Sequence, residues 1–530
     1  MNRILLLDCT LRDGGYINNF RFGFSSICTI IERLSSAALD IIECGFLKSQ
    51  ANDKETSLYG SIEAIKEVIN EKKKDSMYVA MIQFGAIKAS EISPYDGSSI
   101  DGIRITFHEH EIDGAFVLAQ DLMKKGYQIF MQPVGTATYK DSALLALIER
   151  VNQLSPFAFY LVDTLGTMYQ KDLLRMFHLI DHNLNPQIFL GFHSHNNLQL
   201  SFANALELIS LHTERQLIID SSVLGLGRGA GNLCTELITR YINETFGLRY
   251  DILPLLEIID EQIEPLKVKY RWGYDTAYYL ASVTGCHPNY ASYLLNKHTR
   301  RIADINAILK ELPPDKKSLF DKNLISRCYY NYMEHQILDD QVLAELRDFI
   351  GNRRVLLLAP GKSIKRYKNA ISSFIEKEHP FIISIQFYPS DFPADLIFCS
   401  NLKRFHSIKE YMDSTHKQIP LLVTSNITDK NTPDCTVVNY ASYLNEETSV
   451  ADNAGLMCLN LLKSMDMIDI VIAGYDGFRL NQRKNYYHSS LYINVEQDKL
   501  HKMNKSIKNC LNQLMKQMKL QFLTPSVYLN

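Results

Sequence analysis

Short apolar runs alternate with amphipathic stretches from the first residues of the chain onward. The apolar runs predict eight β-strands, which we place at Ile4–Asp8, Leu39–Cys44, Met77–Gln83, Gly102–Phe107, Tyr127–Gln132, Phe157–Asp163, Gln187–Phe192 and Leu217–Leu224. Helical spacing of apolar residues lies between them, for example over 62–73, 142–154 and 173–184. Eight strands, each followed by a helix, in a length of about 245 residues predict a (β/α)8 TIM barrel. The alternative is an open doubly wound sheet, but the first turn, CTLRDGG, lacks the G-x-G-x-x-G that such a sheet carries there.

The remainder of the chain predicts two further parts. Residues 251–348 show a helical pattern rich in tyrosine and histidine, and they contain the only tryptophan, Trp272. From residue 353 onward a second set of strand patterns begins (RRVLLLAPGKSI, FIISIQF, ADLIFCSN, PLLVTSN and DIVIAGYDGF), with helical segments between them. We therefore predict a barrel domain at 1–250, a helical extension at 251–348 that completes the active site, and a smaller Rossmann-like α/β domain at 349–530.

Composition and charge indicate a globular protein and weigh against two classes of partner. Hydrophobic residues make up 46% and charged residues 22%, and 56 basic residues face 59 acidic ones. Without a polybasic field for phosphate backbones or anionic lipids, we expect neither a nucleic acid nor a membrane as partner. The cysteines are scattered without a C-x-x-C pair, and the N-terminal apolar run reaches Asp8 too early for a signal peptide. A cytoplasmic location is the expectation.

Polar residues follow the end of every predicted barrel strand, where the loops of a TIM barrel carry its chemistry. In chain order they are Asp8 with Arg12 and Asp13, then Glu43, Gln83, His108, Gln132, Asp163 with Thr164, the stretch 193–197, and GLGRGAGN at 225–232. One polar residue after a strand is common in any protein. Eight convergent ends indicate a functional site at this face of the barrel.

The H-x-H sequence after the seventh strand is the sharpest local feature. Residues two apart on an extended backbone point the same way, so His193 and His195 can direct two imidazoles at one ion. An isolated H-x-H is more often a solvated pair of loop histidines, whereas the barrel context favours a metal site. Asp13 would complete a face of two histidines and one carboxylate with open positions for substrate oxygens. Such an oxygen and nitrogen site suits Mg2+, Mn2+ or Co2+ better than structural Zn2+.

Two neighbouring motifs allow both a structural and a functional interpretation. Arg12 either forms an ion pair that holds the first loop or acts as a fixed cation that stabilises negative charge on a substrate enolate. GLGRGAGN either makes a tight glycine turn or forms a nest for a phosphate or carboxylate, with Asn232 as a neutral oxygen donor near the metal. For Asp8 and Glu43 we favour a supporting role, in which they orient Arg12 and the loops.

Five motifs, taken together, resemble the DRE-TIM metallolyase superfamily. They are DCTLRDGG (8–15), IIECGF (41–46), VDTLG (162–166), GFHSHNN (191–197) and GLGRGAGN (225–232), in the order that the family has. The resemblance implies that Asp13, His193 and His195 bind a divalent metal, Mn2+ or Mg2+, with Co2+ and Zn2+ as further options. It also implies that Arg12 stabilises the enolate and that Asn232 approaches the metal, as the matching asparagine does in the lyase and synthase branches.

Within that superfamily the chain is most similar to the branch of 4-hydroxy-2-oxo acid aldolases. That branch has a functional tyrosine in the helical region after the barrel, and NYASYLL places Tyr290 in a similar setting. It also has a histidine base a few residues after the arginine–aspartate pair, where this chain has Tyr16. The phenol of tyrosine is a poorer base at neutral pH than imidazole. Either Tyr16 is assisted, or His108 or Tyr290 handles the proton, or the substrate differs.

The resemblance implies a metal-dependent aldolase that cleaves or forms a 4-hydroxy-2-oxo acid through a pyruvate-type enolate, with a 2-oxo acid and an aldehyde as small-molecule partners. The alternatives are a Claisen-type acyl-CoA synthase, for which no CoA-binding element is evident, and a non-catalytic scaffold, which the intact polar motifs disfavour. For the C-terminal domain we expect either a docking role or a phosphorylated or nucleotide-linked ligand, held by backbone N–H groups of APGKSI (359–364). A homodimer is the expected assembly.

Overall fold

The structure is a computed structural model, and it describes residues 4–211, 213–247, 249–297, 302–334, 337–427, 435–445, 447–479, 485–487 and 497–529. The chain divides into two units, which are Met1–Ser292 with Leu312–Asp321 and Tyr293–Glu311 with Lys322–Asn530. The predicted domain boundaries at residues 250 and 348 remain predictions.

The first unit contains a closed barrel whose eight strands, all within the described residues, run parallel. They are β1 (Ile4–Asp8), β2 (Ile41–Leu47), β3 (Met77–Gln83), β4 (Gly102–Phe107), β5 (Gln128–Pro133), β6 (Ala158–Asp163), β7 (Phe189–Ser194) and β8 (Leu217–Ser221). Each strand pairs with the next along the chain, and β1 pairs with both β2 and β8, which closes the barrel. A two-residue strand, Leu58–Tyr59, adds to β2. The predicted TIM barrel is confirmed.

Helices cover the outside of the barrel after most of its strands. They are α1 (Phe24–Ser36), α2 (Ile62–Lys66), α3 (Ile112–Lys124), α4 (Asp141–Leu154), α5 (Gln170–Asp181), α6 (Ser201–Ser210) and α7 (Thr235–Phe246). The prediction of a helix after every strand is wrong for β3, because the connection to β4, described throughout, holds only a 3-10 turn at Ala89–Glu91. The helix predicted over 62–73 ends at Lys66, since Val68 and Ile69 turn into the core through hydrogen bonds from their N–H groups to Ile65 and Lys66.

Alternation along the strands sorts side chains between the barrel interior and the layer under the helices. The interior cluster consists of Leu5, Leu7, Cys9, Ile41, Val79, Phe130, Ala158, Tyr160, Val162 and Ile218. Glu43 and Asp220 lie two residues beyond Ile41 and Ile218, so their side chains share the interior face. A charged layer therefore follows the apolar layer towards the carboxyl ends of the strands.

The second unit contains a separate sheet, in which seven strands of the described chain run parallel. They are β9 (Val355–Leu358), β10 (Phe381–Ile385), β11 (Leu396–Cys399), β12 (Leu421–Thr424), β13 (Cys435–Val438), β14 (Asp469–Ala473) and β15 (Lys519–Phe522), in the order β13-β12-β11-β10-β9-β14-β15. The chain builds outward from β9 to β13 and resumes on the other side of β9, so the winding reverses between β9 and β14. The predicted second α/β domain has its parallel sheet, and its Rossmann-like assignment stays a prediction.

The remaining helices belong to the region after the barrel and to the second sheet. They are Leu253–Ile258, Glu264–Lys267, Thr276–Val283, Pro288–Asn296, Ile302–Glu311, Lys322–Glu334 and Asp340–Ile350, followed by Ser363–Arg366, Lys368–Glu378, Leu402–Thr415, Ala454–Ser464 and Gln497–Leu514. Trp272 donates from Nε1 to the carbonyl of Leu224 at 3.2 Å, and Ser282 donates to the carbonyl of Leu165 at 2.9 Å. The first part of the predicted extension thus packs on loops after β6 and β8.

No helix in the described part of the chain has the length and apolar character needed to cross a membrane.

Candidate active site

Asp13, His193 and His195 meet at the carboxyl ends of β1 and β7. One ligand atom of each lies within 4.8 Å of the others. Nε2 of His193 is 3.6 Å and Nε2 of His195 is 3.9 Å from Oδ2 of Asp13. His193 lies in β7 and His195 directly follows the strand, so the two-residue spacing brings both rings to one side, with their planes at 89°. The structure therefore brings the three predicted metal ligands together in a buried position.

A carboxylate fixes the orientation of His193. Its Nδ1 lies 3.0 Å from Oδ2 of Asp220, which leaves Nε2 facing Asp13. The same carboxylate oxygen accepts a hydrogen bond from Nη2 of Arg104, a fully buried arginine in β4. A carboxylate behind the imidazole is the usual support of a metal-binding histidine, because it fixes the tautomer and the ring orientation.

Arg12 lies beside the cluster with one side of its guanidinium paired. Its Nε donates to Glu43 at 2.8 Å, and Nη1 is 3.1 Å from Oδ1 of Asp13. Glu43 also pairs with Nη1 of Arg104 at 2.8 Å, and Arg104 pairs with Asp220. Two arginines and three carboxylates thus form one buried network. Nη2 of Arg12 is buried and has no hydrogen-bond partner among the described residues. The ion pair of the structural interpretation is present, and the role of Arg12 in stabilising an enolate stays a prediction.

The loop after β8 brings Asn232 to the same point. Its Nδ2 donates to Oδ2 of Asp13 at 2.7 Å, while its buried Oδ1 has no hydrogen-bond partner in the described chain. An isolated bridge between His195 and Asn232 and a 2.7 Å hydrogen bond from the N–H of Asn196 to Gly231 tie this loop to the end of β7. Gly231 has φ +84°, and a Cβ there would come within 2.1 Å of the carbonyl of Gly225. The tight glycine turn is therefore what delivers Asn232.

The protonation states and the donor set suit a divalent metal. Burial alone would raise the pKa of Asp13, but the Arg12 guanidinium offsets it and holds that pKa well below its usual range. Burial lowers the pKa of His195 to about 3. An ionised carboxylate and a neutral imidazole are the forms that ligate metals. The partnerless Oδ1 of Asn232 leaves buried acceptor capacity here, so the residues present fit the ion.

Tyr16 and His108 lie at the rim rather than in the cluster. Tyr16, in the short helix Gly15–Asn18 just after Asp13, is 38% exposed, and its ring stacks under the guanidinium of Arg228 at 4.1 Å. His108 is half-buried after β4 and stacks on His110 at 5.7 Å. Their roles in the reaction stay predictions.

Tyr290 has a different environment from the one expected of a catalytic group. It is fully buried, and its hydroxyl lies 2.8 Å from the carbonyls of Lys316 and Leu319 and accepts from the N–H of Asp321 at 3.1 Å. These contacts tie the segment 316–321 to the helix that carries Tyr290. Its predicted part in proton transfer gains no support from them.

The phosphate nest predicted at APGKSI is wrong as a backbone feature. The N–H groups of Gly361, Lys362 and Ser363 donate to the carbonyl of Gly474, the carbonyl of Asn485 and the carboxylate of Asp476. Asp476 in the second unit therefore occupies the position that a phosphate would need.

Two charged residues of the network were missed from the sequence. Arg104 and Asp220 each interrupt an apolar strand, GIRITF and LIIDS, and a charge inside such a run is itself a signal of a buried polar site. Arg104 pairs with Glu43 and Asp220, which lie 61 and 116 residues away along the chain. Pattern analysis of single segments cannot supply those pairings.

Comparison with known proteins gives matches to part of the chain. Residues 108–252, which include His193, His195 and Asn232, match a family model described as HMGL-like. An oxaloacetate decarboxylase from Mycobacterium tuberculosis is 25% identical over 242 residues, which cover 44% of this chain and 68% of that protein. A 4-hydroxy-2-oxovalerate aldolase from Geobacillus genomosp. 3 is 26% identical over 271 residues, which cover 50% of this chain and 77% of that protein. The crystal structure of the N-terminal domain of a candidate aldolase from Bacteroides vulgatus is 25% identical and covers 55% of this chain and 97% of that one, with a TM-score of 0.47.

Proposed function

We propose, from the place of this barrel in the DRE-TIM metallolyase superfamily, that the protein is a divalent-metal-dependent aldolase. The family model and the names of the relatives indicate a lyase. The reaction would cleave a 4-hydroxy-2-oxo acid into a pyruvate-type 2-oxo acid and an aldehyde, or join them in the reverse aldol addition. The observation that carries this proposal is the convergence of Asp13, His193 and His195 beside an N–H group of Arg12 that has no partner in the described chain.

We assign a role to each residue of the buried network. A divalent ion held by Asp13, His193 and His195, with Asn232 beside them, would supply Lewis-acid stabilisation of the 2-oxo group. Arg12 donates from Nη2 to the oxygen on which enolate charge develops when the C3–C4 bond breaks. Glu43 holds Arg12 in place through Nε, so the donor does not have to reorganise during the reaction.

A base must take the proton of the C4 hydroxyl before the bond breaks. Tyr16 is our first candidate, because its short helix follows Asp13 directly and its ring lies under a cation. Comparing the pH dependence of kcat for Tyr16→Phe and His108→Ala on one substrate identifies the base, whose loss removes one limb of the profile. Tyr290→Phe serves as a third comparison, and its hydroxyl contacts predict an effect on stability instead.

Metal identity is proposed from donor chemistry alone. Carboxylate, imidazole and amide oxygen without thiolate favour Mn2+ or Mg2+, with Co2+ and Zn2+ as the further options. Reconstitution of chelator-treated protein with each ion in turn, followed by an activity assay, ranks them.

Decarboxylation of a 2-oxo diacid is a second candidate reaction, because a relative is named oxaloacetate decarboxylase. It breaks the same C3–C4 bond and produces the same enolate, with CO2 instead of an aldehyde as the other product. A panel of 4-hydroxy-2-oxo acids, oxaloacetate and acetyl-CoA with a 2-oxo acid separates the reactions by pyruvate release with aldehyde, pyruvate release with CO2, or CoA release. Turnover of acetyl-CoA alone would contradict the aldolase proposal in favour of the Claisen-type synthase.

For the second unit we infer an anionic, phosphorylated or nucleotide-linked ligand. Lys362, Lys365, Arg366 and Arg479 line a cavity of about 460 Å³, and among the described residues none of the four forms an ion pair. The ligand would therefore be held by side chains and not by the backbone nest. Calorimetric titration of the full chain with inorganic phosphate and nucleotides tests this, with Lys362→Gln/Arg366→Gln as the variant and exposed Lys377→Gln as the control.

A homodimer also stays our proposal for the assembly, to be measured by light scattering.

A further inference from the structure

Arg228 is a cation at the mouth of the barrel that the buried network does not use. It lies in the middle of the loop 225–232 and is half-buried. Among the described residues its guanidinium has no hydrogen-bond acceptor and no ion pair, and its recorded side-chain contact is the stack on the Tyr16 ring. Arg12 and Arg104, in contrast, are both paired with carboxylates.

The loop holds Arg228 in this position through its neighbours. The N–H of Ala230 donates to Oδ1 of Asn197 at 2.9 Å, which fixes the loop against the segment that follows β7. Gly227 and Gly229 flank the arginine, and a Cβ on either would come within 2.7 Å of the side chain of Asn232 or Asn197. Because the backbone on both sides packs this closely on the metal-ligand loops, the backbone position of Arg228 is fixed.

Arg228 lies close to the segments that carry the candidate metal ligands. The ring on which it stacks, Tyr16, follows Asp13 by three residues, and Gly229 beside it packs on Asn197, two residues after His195. Burial lowers the pKa of His287 to about 3, with smaller contributions in the same direction from Arg228 and His108. Nδ1 of His287 accepts from the N–H of Asn289 at 3.1 Å, so the neutral ring carries its proton on Nε2 as a second donor. Gly229, next to Arg228, packs against Pro288, next to His287, so Arg228 and His287 belong to neighbouring segments.

We propose that Arg228 binds a second anionic group of the substrate, a carboxylate or phosphate at the end remote from the 2-oxo acid. This inference rests on the proposed function and narrows it to 4-hydroxy-2-oxo acids with a negatively charged tail. The planar fork of a guanidinium suits carboxylate and phosphate, and a stacked aromatic ring fixes its plane without neutralising its charge. A neutral tail would leave this half-buried cation without a counter-ion.

Direct binding tests the inference without turnover. The Mn2+-loaded protein is titrated by calorimetry with 2-oxoglutarate, with 2-oxo-4-phosphonobutanoate and with 2-oxopentanoate, which has the same carbon-chain length as 2-oxoglutarate and a neutral end. A charge-assisted hydrogen bond corresponds to a preference of about 10- to 100-fold for an anionic probe. We expect that preference in the wild type, its loss in Arg228→Met, and an unchanged affinity for 2-oxopentanoate. Which anionic probe is preferred distinguishes carboxylate from phosphate.

Two further variants keep the result interpretable. Arg240→Met removes an exposed arginine of α7 that pairs with Glu244, and it should keep the full preference. Arg228→Lys keeps the charge but loses the planar fork, so it should retain part of the preference. Equal binding of all three probes by the wild type, or an intact preference in Arg228→Met, would overturn the inference.

A turnover arm separates this inference from the proposed function. With aldol substrates, Arg228→Met should raise KM at least about 10-fold for an anionic tail and leave the KM for a neutral tail nearly unchanged. If the binding preference disappears in Arg228→Met but no substrate is cleaved, the aldolase proposal fails and the anion site stands. If substrates are cleaved and Arg228→Met treats both tails as the wild type does, the anion site fails and the aldolase proposal stands.

Discussion

Charged side chains buried against one another set the chemistry of the site at the scale of single residues. Asp220 touches both His193 and Arg104, and Glu43 touches both Arg12 and Arg104. Asp13 joins the same network through its ion pair with Arg12. Each member therefore positions a neighbour, and substitutions at different points should separate metal binding from catalysis.

Asp220→Asn tests the positioning of His193. The amide cannot hold the imidazole as a carboxylate does, so we expect metal affinity to fall by about 10- to 100-fold while the barrel stays folded. Metal titration monitored by calorimetry measures it, with exposed Asp141→Asn as the matched control. Unchanged affinity in Asp220→Asn would show that Asp220 serves only the ion pair with Arg104.

Arg12→Lys tests charge stabilisation separately from metal binding. Lysine keeps the positive charge near Asp13 but loses the planar fork with which Arg12 pairs with Glu43 and Asp13 and still has Nη2 without a partner in the described chain. We expect kcat to fall by about 10²- to 10³-fold, the usual cost of losing one oxyanion donor. Elemental analysis should find the metal content of the wild type. Arg175→Lys, an exposed arginine paired with Asp141, should leave both quantities unchanged.

At the scale of elements, the hydrophobic pattern predicts strands well where both faces are buried and less well where the end of a strand is polar. Ile4–Asp8, Met77–Gln83 and Gly102–Phe107 match the structure at both ends. The prediction stops β7 at Phe192, whereas pairing with β6 continues to Ser194. The end of the strand that carries His193 is polar, so hydrophobicity cannot report it.

The candidate site shows the same division between local and long-range information. H-x-H and the Arg12–Asp13 pair are local patterns, and the structure brings their side chains together as expected. Arg228 and His287 could not be placed by pattern, because their relation to Tyr16 and Asp13 depends on how loops from different strands fold over the mouth.

Gly231→Ala tests the loop that delivers Asn232. Alanine costs roughly 1 kcal/mol at any positive φ, but here its Cβ would also clash with the carbonyl of Gly225 and displace the loop. We expect weaker metal binding in addition to lower stability. Gly247→Ala is the matched control, since Gly247 has φ +95° with nothing within 4 Å of an added Cβ. Equal metal affinity in both variants would contradict a role for this turn in the site.

At the scale of the whole molecule, the candidate site lies at the carboxyl ends of the barrel strands, and a separate set of stabilising contacts lies at their amino-terminal ends. Arg215 precedes β8 at the amino-terminal end and is 5% exposed. It pairs with Asp181 at 2.6 Å and donates to the carbonyls of Asp181, Leu184, Asn185 and Ile188. We therefore assign the contacts at this end of the barrel to the stability of the fold.

Arg215→Met should therefore reduce stability without changing the site. It leaves a carboxylate and several carbonyls without their donor, which costs about 3–5 kcal/mol for a buried pair. Urea unfolding followed by circular dichroism measures the loss, and metal titration of the folded variant should give the wild-type affinity. Arg175→Met, at an exposed ion pair, should change stability by no more than about 0.5 kcal/mol. A weaker metal site in Arg215→Met would show that the two ends are coupled.

Enolate formation is the central claim, and it can be measured without knowing the aldehyde. Pyruvate is incubated with the protein and Mn2+ in D2O, and exchange of its C3 protons is followed by proton NMR. The account predicts exchange that requires the metal, disappears in His193→Ala/His195→Ala, and falls steeply in Arg12→Lys while its metal is retained. Metal-independent exchange, or exchange at the wild-type rate in the double histidine variant, would contradict it.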